Sequence, residues 1–419
     1  MGQPTDTPER RGADGETGRP ERILFVCQND FSAPSEKQVL GLAQQLVGRG
    51  HEVMIAICGD ISTAQQEGAT GLPGLRVHDF AFVRGRLRPG DLAAARDFAP
   101  TLVHAWNSRV PTIAAARAMA RAARAPVFVH FEDDEWRVPE HAPGELLLRR
   151  VAHRGRRVVS HFDPSVWWHS NRSSLRWTAR HAAGLDALTP ALAREVQRRM
   201  KRDCAVVLPI TPRVPPTPVE SLPKLPAGFD GHPLLLITGT IWPVYLPDFM
   251  LGFRAVAELQ RRGRPVRLLH AGRVLPRWDP LELARSASVA EGTAAFIGYV
   301  PFSVVPGLLR RADVLLQPGP PSEFNRLRLP SKLQAYLASG TPTVTFAVGF
   351  GELLADRVEV LLTQTADPGE LADRIAELLD DPALRATLSR SAPAAAARLF
   401  DPRANADALL SHYRAAPRR

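Results

Sequence analysis

The chain has 419 residues, enough for two domains of ordinary size, and its 45% hydrophobic and 23% charged content exclude a largely disordered, fibrous or coiled-coil molecule. The formal charge of +10 suits an anionic ligand, a nucleic acid or an acidic membrane surface equally well, so charge alone names no partner. No apolar run of about 18 residues is present and the stretch Met1 to Pro20 is polar, which leads us to expect a cytoplasmic protein with a disordered tail over 1–20. Cys27, Cys58 and Cys204 form no CxxC pair and have no histidine at metal-ligand spacing, so neither a zinc site nor a disulfide framework is expected.

From Arg22 the chain reads as a buried strand, Ile23 to Cys27, then a polar loop, then a helix opened by Pro34 with Leu40, Ala43, Leu46 and Val47 on one stripe. Gly50 can close that helix, and Glu52 to Ile57 follows as a second strand, completing a β-α-β unit. Further apolar runs at Leu102 to Trp106, Val127 to Phe131, Leu185 to Leu188 and Ala205 to Leu208 give the rhythm of a parallel sheet covered by helices. Six prolines between Pro212 and Pro226 exclude helix and central strand, so 211–232 is expected to be the linker after a first domain over 21–210. A second alternating series runs from Leu234–Ile237 through Val266–Ala271, Ala295–Ile297, Val314–Leu316 and Thr343–Phe346. It defines a second domain over 233–400. Helices are expected at Pro368 to Leu379 and from about Pro402 to Ala415, the last within a terminal segment 401–419. The predicted fold class is α/β, with two halves of similar size.

Ligands of open parallel sheets gather beyond the carboxyl ends of the strands, so the loops that follow the strands are the places to search. The first, Gln28 to Lys37, lacks GxGxxG and disfavours a bound dinucleotide. It offers Ser35, Glu36 and Lys37 at a helix start, as substrate-binding groups or as a cap and a solvated cation. After the strand ending at Phe131 come four acids, Glu132 to Glu135, then Trp136. Crowded carboxylates repel, so one of them can hold its proton and serve as acid or base, or the group can bind a metal or sugar hydroxyls, unless it is merely a solvated turn. Trp167, Trp168 and Trp177 alternate with Arg172, Arg176 and Arg180, a mixture that suits a membrane surface or an inward-packed helix; no RNA-binding module is legible, and nucleic acid is not expected as a partner. The segment from Ala312 to Gly319, then Phe324-Asn325, then Arg328 to Leu333, runs a buried strand into a Pro/Gly loop and a helix opening near Pro330. Arg328 and Lys332 converge there with unpaired backbone N–H groups. A lysine at a helix start opposes the macrodipole unless an anion is present, and a diphosphate would match.

These segments resemble the GT-B glycosyltransferases of family 4. The resemblance rests on Ile23 to Ile57, including Arg49-Gly50-His51-Glu52-Val53, on Val129 to Glu135, and on Gln317-Pro318-Gly319, Phe324-Asn325 and Arg328 to Leu333, and it covers about Arg22 to Asp401. It implies two Rossmann-like domains facing a cleft, a nucleotide sugar held by the second, and a last helix that crosses back to the first. By implication the chain transfers a sugar from a nucleotide diphosphate sugar to a hydroxyl with retention. It would need no metal and no cofactor beyond that co-substrate, and Arg328 and Lys332 would be the catalytic cations. Ser35, Lys37, Glu132, Asp133, Gly239, Thr240, Pro318, Gly319, Asn325 and Ala335 are the expected substrate-binding positions. The acceptor would be a carbohydrate, lipid-linked or small molecule, with peripheral contact at an acidic membrane compatible with the charge.

The chain departs from that family pattern at specific positions. Its paired glutamates fall on Leu327 and Ala335, and Gly239 to Pro243 offers neither the Arg nor the Lys that usually holds the diphosphate. The glycine-rich acceptor loop is replaced by Ser32 to Lys37. A rival reading is therefore a catalytically silent GT-B protein that binds a nucleotide sugar or a partner glycosyltransferase, favoured by Ala335. An epimerase of the same fold is a weaker third.

Overall fold

The computed structural model describes residues 19–31, 33–137, 171–210, 218 and 222–416. The expected tail, apart from its last two residues, the linker positions 211–217 and 219–221, and Trp167 and Trp168 lie outside the described residues. Strands β1 (Arg22–Val26), β2 (Glu52–Ile57) and β3 (Leu75–Asp79) are followed by a two-residue hairpin, β4 (Phe82–Val83) with β5 (Arg86–Leu87). Next come β6 (Leu102–Ala105), β7 (Val127–Phe131), β8 (Gly184–Ala187) and β9 (Ala205–Val206). The first sheet has the order β3-β2-β1-β6-β7-β8-β9, with all its pairs parallel.

The second sheet is built from β10 (Leu234–Thr238), β11 (Arg267–Ala271), β12 (Ala294–Phe296), β13 (Val314–Leu316), β14 (Thr343–Phe346) and β15 (Leu361–Thr363). Its order is β12-β11-β10-β13-β14-β15, again parallel throughout. Both orders reverse direction beside their first strand, so each sheet is Rossmann-like and opens a crevice at its carboxyl edge between the first strand and the next one outward, β6 in one and β13 in the other. Past the exposed Arg22, the central strands β1 and β10 are buried because helices cover both faces.

Helix starts carry a repeated local signal. Thr189, Asp279, Asp367, Asp381 and Asp401 each accept a backbone N–H of the first turn, and a proline follows each of them at the first helical position, where its missing N–H costs nothing. The sequence reading missed β3, the hairpin, β15 and the helix Pro382–Leu399. β3 is an edge strand whose residues are half polar, β15 is three residues long, and the helix is alanine-rich with Pro393 inside it, so none presents a clear apolar period.

The last helix, Pro402–Ala415, lies against the first domain: Arg49 pairs with Asp407 at 2.7 Å, and Leu409, Leu410 and Tyr413 join the apolar cluster of β1, β2 and the helix Pro34–Val47. Below it, the imidazoles of His104 and His130 flank Asp186, at 3.0 Å and 2.5 Å, and the Tyr413 hydroxyl lies 2.7 Å from His104 Nδ1. Gly184 gives this helix its close seat, since a Cβ there would stand 2.7 Å from the His412 ring. No helix among the described residues is long and apolar enough to cross a membrane.

Candidate functional site

The carboxyl ends of β10 and β13 meet the loop that carries Arg328 and Lys332. Lys332 stands at the start of the short helix Leu333–Ser339, its Nζ donating to Thr238 O at 2.8 Å and lying 4.8 Å from the centre of the Phe249 ring. Arg328 is 8% exposed, lies over Tyr245 at 4.3 Å and donates to Asn325 Oδ1 at 3.1 Å. Asp248, in the first turn of the helix Leu246–Arg261, approaches Arg328 at 3.7 Å.

Burial, then the neighbouring Arg328 charge, push the Lys332 ammonium down to about 7, against the opposing pull of Asp248. Burial likewise raises Asp248 to about 6, although Arg328 and Lys332 hold it back. Two cations thus share one half-suppressed carboxylate, an arrangement that an incoming dianion completes.

Gly239, at φ +114°, sits against this pair: a Cβ there would come within 3.4 Å of Lys332 Nζ, and His270 Nε2 lies 2.8 Å from the Gly239 carbonyl, to which its N–H donates. A Cβ on Gly272 would stand 2.0 Å from the same carbonyl oxygen, so two glycines allow β10 and β11 to release their loops side by side. Thr240 follows half-buried, Pro318 and Gly319 are buried, and Asn325 donates to Pro320 O at 2.9 Å, which fixes the loop. Sequence reasoning missed Asp248, Tyr245 and His270. Asp248 follows a proline at a helix start, the one signal that could have singled it out.

The other wall is acidic. Glu132 follows β7 directly and Glu36 lies in the first turn of the helix after β1; they are 7% and 1% exposed. Burial raises Glu132 to about 8, against the charge of Arg109 and a hydrogen bond from Ser35. Burial raises Glu36 to about 7, although its Oε1 accepts from Asn29 N at 3.0 Å. Arg109 is held by their neighbours, at 3.2 Å from Asp133 and 3.1 Å from Glu135.

Ser35 does not cap its helix; Ala33 occupies that position, and the Ser35 hydroxyl serves Glu132. Lys37 pairs with Glu67 at 3.1 Å and lies against the rings of Tyr299 and Phe302 of the second domain, so the structure gives it a bridging contact and does not bring it together with Glu132. Trp177 packs into the first-domain core beneath Arg117, while Arg172, Arg176 and Arg180 are exposed.

The walls touch at several points. Tyr299 donates to Glu67 at 2.8 Å, Arg137 pairs with Glu323 at 2.6 Å, and Thr189 donates to Leu327 O at 2.9 Å. Leu327 inserts its side chain into the first-domain core, an apolar use of a position where the family resemblance leads one to expect a glutamate. The Ala335 methyl packs against the cluster of Leu308, Leu309 and Tyr336. Tyr245 joins the two walls electrostatically: beneath Arg328, it also feels the charges of Asp133, Arg109 and Glu132.

The two Rossmann-like domains, which meet along these walls, make the GT-B fold. Residues 232–381 match the family model described as glycosyl transferases group 1. Among curated relatives, the 2-deoxystreptamine glucosyltransferase of Streptomyces kanamyceticus is 30% identical over 220 residues, 50% of this chain and 54% of that one. The D-inositol 3-phosphate glycosyltransferase of Frankia alni is 33% identical over 210 residues, 48% and 49% of the two chains. The chain thus spans about half the length of these relatives. The Anabaena protein HepE, solved in complex with UDP and glucose, superposes with a TM-score of 0.66 at 17% identity, covering 93% of this chain and 98% of that one.

Proposed function

We propose that the chain is a retaining glycosyltransferase of the family 4 type that moves a hexosyl group from a nucleotide diphosphate sugar to a hydroxyl of a sugar or cyclitol. The observation that carries this reading is the pairing of buried Arg328 with half-buried Lys332 at the carboxyl edge of the second sheet, short of negative charge. As the glycosidic bond breaks, charge builds on the departing diphosphate, and prearranged cations in a dry cleft stabilise that charge more in the transition state than in the ground state. The diphosphate would restore the full charge of Lys332. Among the described residues Asp248 is the carboxylate that approaches this pair, and it faces Arg328, so the cations carry the stabilisation without a metal in this scheme.

The match to the glycosyl transferases group 1 model and the nucleotide-binding relative of the same fold support the reading. The names of the curated relatives, which act on 2-deoxystreptamine and on D-inositol 3-phosphate, support a cyclitol acceptor.

The test is a thermal-shift panel of nucleotide diphosphate sugars, because a ligand that binds only the native state raises the melting temperature. At least one should raise it in the unaltered protein and not in Lys332→Ala, and the same donor should release its nucleoside diphosphate in the presence of an acceptor. A panel without any shift overturns the proposal.

A further inference from the structure

We propose that the acceptor is a cation, an amino sugar or aminocyclitol whose ammonium group is bound by the carboxyl groups of Glu36 and Glu132. This rests on the reading of the site above and narrows it to one class of acceptor. Neither Glu36 nor Glu132 forms an ion pair among the described residues, whereas Asp133 and Glu135 are both paired with Arg109. Glu36 Oε2 is buried and has no hydrogen-bond partner, an independent sign that the group is incomplete.

The groups facing the pair are Cys27 at the end of β1, Asp30 and Asn29 in the loop, Ser35, and Asp133 beside Arg109. They add more negative than positive charge. Two buried acids in such surroundings keep their protons while the site is empty, and both can ionise when a positive group enters between them. A neutral polyol gives them no reason to ionise. The place is right for an acceptor, since Glu36 and Glu132 lie beyond the carboxyl ends of β1 and β7, on the wall that Arg137 and Thr189 join to the loop carrying Arg328 through Glu323 and Leu327. An ammonium held by the acids stands across the cleft from the cations that hold the diphosphate.

The experiment titrates the full chain calorimetrically, in the presence of nucleoside diphosphate, with 2-deoxystreptamine, its di-N-acetyl derivative and myo-inositol. The diamine should bind roughly tenfold or more tighter than either neutral ring, the scale of one charged hydrogen bond. Glu36→Gln combined with Glu132→Gln should abolish that preference. Equal binding of the three rings, no binding of any, or a preference that survives the double substitution overturns the proposal. The acetylated ring makes the same test on the unaltered protein, whatever the double variant does to folding. Donor binding on the same samples keeps the two readings apart: donor binding without amine preference sinks this proposal alone, and amine preference without donor binding sinks the glycosyltransferase reading alone.

Discussion

Asp186 on β8 and Glu132 just past β7 are buried carboxylates on neighbouring strands, and the protein treats them in opposite ways. Burial pushes both upward. At Asp186 the imidazoles of His104 and His130 overcome that push and hold the acid far below the usual carboxylate range. At Glu132 a serine hydroxyl and a distant share of Arg109 do not, and the acid rises to about 8. Burial alone therefore does not mark a functional acid. What separates the two is whether the chain itself supplies the counter-charge. In the Asp186 group the chain supplies the counter-charge itself, through His104 and His130, and the group fastens the last helix to the sheet; the Glu36 and Glu132 pair has no ion-pair partner among the described residues.

The largest effect expected from this contrast falls on the completed group. Asp186→Asn removes the partner of two buried imidazoles and should lower stability by roughly 3 kcal/mol or more, since breaking a buried pair strands what remains. Chemical denaturation of both proteins checks it, and a loss below about 1 kcal/mol would mean that the network is not an anchor.

On the incomplete side the loss should be of activity. Lys332→Ala is expected to lower turnover by on the order of a hundredfold or more, the scale seen when one stabiliser of developing charge is removed, while the melting temperature holds or rises because a partly desolvated cation beside Arg328 has gone. Arg328→Ala should act alike on turnover. Single-turnover transfer from the best donor of the panel measures both, and wild-type rates in both variants would show that the diphosphate is held elsewhere.

The acidic pair makes a prediction with a definite sign. Burial raises Glu132 and Glu36 in the folded state to about 8 and about 7, above the ordinary glutamate value of 4.5, so between those limits the folded protein binds more protons than the unfolded chain. Their contribution is present in full below pH 4.5 and is lost as the pH rises through about 7 to 8. Over this window the wild type should lose about 1–3 kcal/mol that Glu36→Gln with Glu132→Gln does not lose. Lys332, lowered to about 7, acts in the opposite sense, with stability rising from there towards its unfolded value of 10.5, so the comparison is best made below pH 7. Denaturation curves at pH 5 and pH 7 for both proteins decide it, and parallel pH dependence would remove the pair from consideration.

The sequence showed the two sheets because Rossmann strands are buried on both faces and read as short unbroken apolar runs, such as Leu234 to Ile237. It showed Arg328 and Lys332 because a lysine at a helix start conflicts with local electrostatics, and such a conflict is visible without coordinates. What it hid depends on distant pairing. Asp248 and Lys332 are 84 positions apart in sequence, and nothing local to either announces the other. The fate of the acidic run was equally hidden: Arg109 sorts its members into paired and unpaired, and Arg109 comes from another loop. His104, His130 and Asp186 share no spacing motif because three parallel strands bring them together.

The smallest effect concerns Ala335, where the family resemblance leads one to expect a glutamate. Its methyl is only partly buried, against an apolar cluster that also contains Ile297 and Val300 beyond β12, and it lies three positions along from Lys332, which stands at the crevice of the second sheet. Glutamate is nearly as good a helix former as alanine, and Ala335→Glu should cost little in helix propensity. If the donor ribose lies in that crevice, the new carboxylate accepts its hydroxyls and tightens donor binding by roughly 1 kcal/mol, about the worth of one hydrogen bond. If the donor enters differently, a negative charge added near Arg328 and Lys332 opposes the diphosphate and binding weakens. Calorimetric titration of both proteins with the same nucleotide sugar reads the sign directly. Tighter binding would show that the basic wall is a complete diphosphate site whose ribose contact alone has been given up; weaker binding would show that the chain has moved the ribose along with the lost carboxylate.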